Sequence, residues 1–82
     1  MNSSYQGDNT EIRKQIIECS ILIISLLLQK YKSKEIDIID FKNHTISKIN
    51  YIMDNFDVIK DTLEIEKVES LINECNEIFN AN

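Results

Sequence analysis

The chain has no proline, no tryptophan and a single glycine, Gly7, in 82 residues. Tight hairpins draw on Gly, Asn-Gly or Asp-Gly turns, so this near-absence of punctuation argues against a β-rich fold. Long helices are what remains. Arginine occurs once, at Arg13, and histidine once, at His44, while Ile, Asn and Lys are heavily used, the bias an AT-rich genome produces. Cys19 and Cys75 are the only cysteines. No basic patch exists: the net charge is −5, and residues 61–82 carry Asp61, Glu64, Glu66, Glu69, Glu74 and Glu77 against Lys67 alone. Phosphate neutralisation supplies most non-specific nucleic-acid affinity, so no nucleic-acid partner is expected.

At this length one domain is the limit, and such a domain buries only roughly 60–65% of the surface its unfolded chain exposes. Small cores of this kind often draw stability from a disulfide, a metal or association. The segment MNSSYQGDN lacks the basic and apolar regions of a signal peptide. A cytoplasmic setting with reduced thiols is therefore expected.

Three helices follow from the pattern. A flexible tail is expected through residue 8, with Asp8 and Glu11 at capping-box spacing ahead of a first helix over about 9–31. Its apolar positions Ile12, Ile16, Cys19, Ile23, Leu26 and Leu27 have helical spacing, and Ile17, Ile21, Ile24 and Leu28 fall on other faces of the same helix. Asp37 and Asp40 offer a second cap, for a helix over about 38–55 whose stripe is Ile38, Phe41, Thr45, Ile49, Ile52 and Phe56, widened by Ile46 and Met53. Asp61 and Glu64 repeat the capping spacing before a third helix over about 62–80, with Val68, Leu71, Ile72, Cys75, Ile78 and Phe79 as its apolar stripe. Short connections pack consecutive helices antiparallel, so the expected fold is all-α, an up-down-up three-helix bundle over residues 9–80 that dimerises through helix 1.

The run IIECSILIISLLL at 16–28 poses the main functional question. A membrane span needs about 20 predominantly apolar residues. This run is shorter, contains Glu18 and is flanked by Arg13, Lys14 and Lys30, so no membrane role is expected. A bundle helix buries one stripe, yet from Ile21 to Leu28 this one is apolar nearly all round. Each large aliphatic left in water forgoes about 1.5–3 kcal/mol of burial. Ile17, Ile21, Ile24, Leu28 and Tyr31 are therefore expected to form an interface covered by a second copy of the chain or by another protein.

Chemistry is poorly represented. A metal site would have to combine Cys19, His44 and Cys75, and none of the close ligand pairs that announce zinc is present, so no metal or cofactor is expected. No nucleophile stands at motif spacing from a base, no Gly-rich phosphate loop exists, and no small-molecule substrate is evident. The segment SKEIDIID at 33–40 resembles, over about five residues, the S-x-E-L-D segment of the small aspartyl-phosphate phosphatases of sporulating bacteria. The resemblance carries over only Ser33 and Asp37. That family is a two-helix hairpin with a Gly-containing turn before the motif, whereas here an uninterrupted apolar helix precedes it. The expectation is a non-enzymatic, acidic protein-interaction module of regulatory, inhibitory or adaptor type, with Glu66, Glu69, Glu74 and Glu77 steering a basic partner. The alternative is a structural unit that only oligomerises.

Overall fold

The computed structural model describes residues 4–62 and 64–81. Every regular element among them is helical: α1 (Ser4–Lys32), α2 (Ile38–Asp54), a 3-10 turn at Phe56–Val58, and α3 (Ile65–Ala81). Pairings between the helices give the directions. Arg13 reaches Asn55 while Tyr31 stacks on Phe41, so α1 and α2 run antiparallel. Lys32 meets Glu74, and Phe41 meets Phe79, so α3 lies parallel to α1 and antiparallel to α2. The order is up-down-up.

Helix α1 begins earlier than the sequence suggested. Residues 4–8, expected in a tail, are helical, residues 1–3 lie outside the described residues, and Asp8 sits within the helix instead of capping it. Once a helix is nucleated each further residue adds a hydrogen bond at little cost, and no Pro stops this one. At its other end α1 closes with a Schellman arrangement. The Glu35 N–H donates to the Lys30 carbonyl (2.8 Å), the Lys34 N–H to the Tyr31 carbonyl (3.0 Å), and Lys34 takes the left-handed φ of 67° that glycine usually supplies. The Ser33 hydroxyl donates to Glu35 Oε2 at 2.8 Å, and with Lys30 nearby it holds the Glu35 carboxyl below its ordinary pKa.

Asp37 caps α2 as expected, its Oδ1 accepting from the Asp40 N–H at 2.8 Å. Asp61 does not cap α3, which starts three residues later than its spacing implied. The intervening chain first dips inward to bury Ile59 completely, and Thr62 Oγ1 then accepts from the Glu64 N–H at 3.3 Å.

One core joins all three helices. Phe41, Ile49 and Ile52 of α2 and Val68, Ile72 and Cys75 of α3 are buried, as their stripes predict, with Ile38, Phe56, Leu71, Ile78 and Phe79 packed at the margin, whereas Ile46 and Met53, expected to widen the α2 stripe, are exposed. Helix α1 overturns the expected assignment of faces. Ile17, Ile21, Ile24 and Leu28 are buried against α2 and α3, while Tyr31 is partly buried and stacks on Phe41 with ring centroids 5.0 Å apart. These five were expected to face a second chain. The four aliphatic side chains are closed inside their own bundle and present no surface, and Tyr31 is stacked on Phe41, so that interface assignment is corrected.

The reason is that α1 carries two apolar rows. At about 100° per residue they lie about 140° apart around the axis, so either could face the bundle by period alone. Only the row containing Leu28 and Tyr31 continues to the α1–α2 turn, where the helices must meet. The other ends at Lys30 and Ser33.

Candidate interaction surface

Turning the Ile17–Leu28 row inward sends the other outward. Ile12, Ile16, Ile23 and Leu26, with Leu22 beside them, stand 41–69% exposed, and Cys19 in the middle of the row is exposed too. The 29 residues of α1 make a rod about 43 Å long, against about 25 Å for each 17-residue partner. Two shorter helices on one side cannot also wrap its far side. The surplus apolar surface expected from the run at 16–28 therefore exists, on a different row of α1 from the one expected to carry it.

Ion pairs fix how α1 sits. Arg13 Nε donates to Asn55 Oδ1 at 2.7 Å and Arg13 Nη2 to Asp57 Oδ1 at 2.6 Å, pinning α1 to the end of α2 and the 3-10 turn. Lys32 Nζ donates to Glu74 Oε2 at 2.5 Å, joining α1 to α3. All these groups are half-exposed or exposed, so each pair adds at most about 1 kcal/mol and its value is orientation.

The acidic residues Glu66, Glu69, Glu74 and Glu77 share one face of α3, where with Ser70 and Asn73 they line a shallow surface groove. Glu66, Glu69 and Glu77 are exposed; Glu74 is partly buried and engaged by Lys32. A second shallow groove lies between α2 and α3, lined by Met53, Phe56, Glu69, Ile72, Asn73 and Asn76.

The groups weighed for chemistry are not brought together. Cys75 is fully buried, and its burial, with the Glu74 charge beside it, pushes the thiol pKa up to about 11. Cys19 and His44 are exposed, on α1 and α2. No group of three or more His, Cys, Asp or Glu residues among those described could hold a metal ion. Among the described residues no helix is long and apolar enough to cross a membrane. Ser33 and Asp37, the positions singled out by the phosphatase resemblance, are both engaged in the α1–α2 turn, one on Glu35 and the other as the α2 cap. Comparison with protein families, curated proteins and solved structures finds no match. What can be said of function rests on geometry.

Proposed function

We propose that this chain is a protein-interaction module whose docking face is the outer row of α1. The carrying observation is that Ile12, Ile16, Ile23 and Leu26 form one continuous exposed row on a helix whose opposite side is already anchored in a core. Contiguous exposed apolar patches mark interaction sites, and covering the half of each of these four side chains that is still exposed is worth on the order of 1 kcal/mol apiece before the costs of association. The docking helix is rigid before binding, so little ordering entropy opposes the encounter. The acidic face of α3, with Glu66, Glu69 and Glu77, would steer a basic partner toward the same small body. An action of the regulatory, inhibitory or adaptor type, by occupying another protein's surface, is the role this supports.

The test is the double variant Ile16→Asp, Ile23→Asp. Both positions are exposed, so helical circular dichroism should be unchanged. The wild-type chain at micromolar concentration should either bind an apolar dye or associate, and the variant should do neither. Equal dye binding and equal association in both chains would refute the docking face. The role of α3 is tested separately, since a Glu66→Lys, Glu69→Lys variant should slow association with a basic partner and flatten its salt dependence.

A further inference from the structure

We draw no further inference here: the strongest candidate, the exposed apolar row of Ile12, Ile16, Ile23 and Leu26 along the outer side of α1, is the docking face already proposed, and nothing in the structure shows what covers it.

Discussion

Ile24 is fully buried in the core while Ile23, its neighbour on α1, is 43% exposed. Two residues of the same type, one peptide bond apart, thus have opposite duties: one holds the bundle and the other is left for a partner. Truncating each separates the two. Ile24→Ala removes packed methyl groups and leaves a cavity, so urea unfolding should show a loss of about 2–5 kcal/mol. Ile23→Ala should cost well under about 1 kcal/mol in the monomer, as at most surface positions. Equal losses at the two sites would mean that the faces of α1 are assigned wrongly.

Thr45 is the one polar residue in the middle of the α2 stripe. It is fully buried, and its Oγ1 has no hydrogen-bond partner among the described residues. A desolvated hydroxyl without a partner is a net cost, and Val has nearly its shape without the polar atom. Thr45→Val should raise stability by about 1 kcal/mol in chemical denaturation. A destabilised variant would show that the hydroxyl has a partner in solution.

Most of this fold is legible in the sequence. The stripes of α2 and α3 repeat at helical spacing on otherwise polar helices, so only one face of each could turn inward, and it does. The Asp37 cap was readable because its spacing to Asp40 sits at a true break in the apolar pattern. Asp8 and Asp61 have the same kind of spacing and do not cap, because the chain around them obeys other demands: α1 continues backward, and Ile59 must first reach the core. The face of α1 was not legible from periodicity, since both of its rows are apolar and both have helical spacing. Continuation of one row through Leu28 and Tyr31 to the turn was the usable signal. The acidic face of α3 was legible as a charge count, and nothing in that count says what it meets.

The α1–α2 turn is built without glycine. Lys34 holds φ at 67°, where a side chain bearing Cβ is strained by about 1 kcal/mol or more. Glycine fits that conformation without strain but loses more freedom on folding. The balance favours Lys34→Gly by about 0.5–1 kcal/mol, visible as a higher thermal midpoint. A lowered midpoint would mean that the Lys34 side chain makes a contact worth more than the strain.

Cys75 makes the bundle sensitive to alkali. Burial raises its thiol from the ordinary 9.0 to about 11 in the folded chain, with the Glu74 charge adding to the effect. Between those values the folded state keeps a proton that the unfolded state has released. Stability is unaffected by this group below pH 9 and falls as pH rises from 9 toward 11. The loss attributable to Cys75 is about 2–3 kcal/mol over that window. Denaturation midpoints of wild type and Cys75→Ala should therefore converge as pH rises, because the variant pays a fixed packing cost but has no thiol to ionise. The neutral-pH counterpart is chemical: Cys19 is exposed and should be modified in the folded chain at pH 8, while Cys75 should react only on unfolding. Parallel stability curves for the two chains, or equal labelling of both thiols in the native state, would show that Cys75 is not sealed in the core.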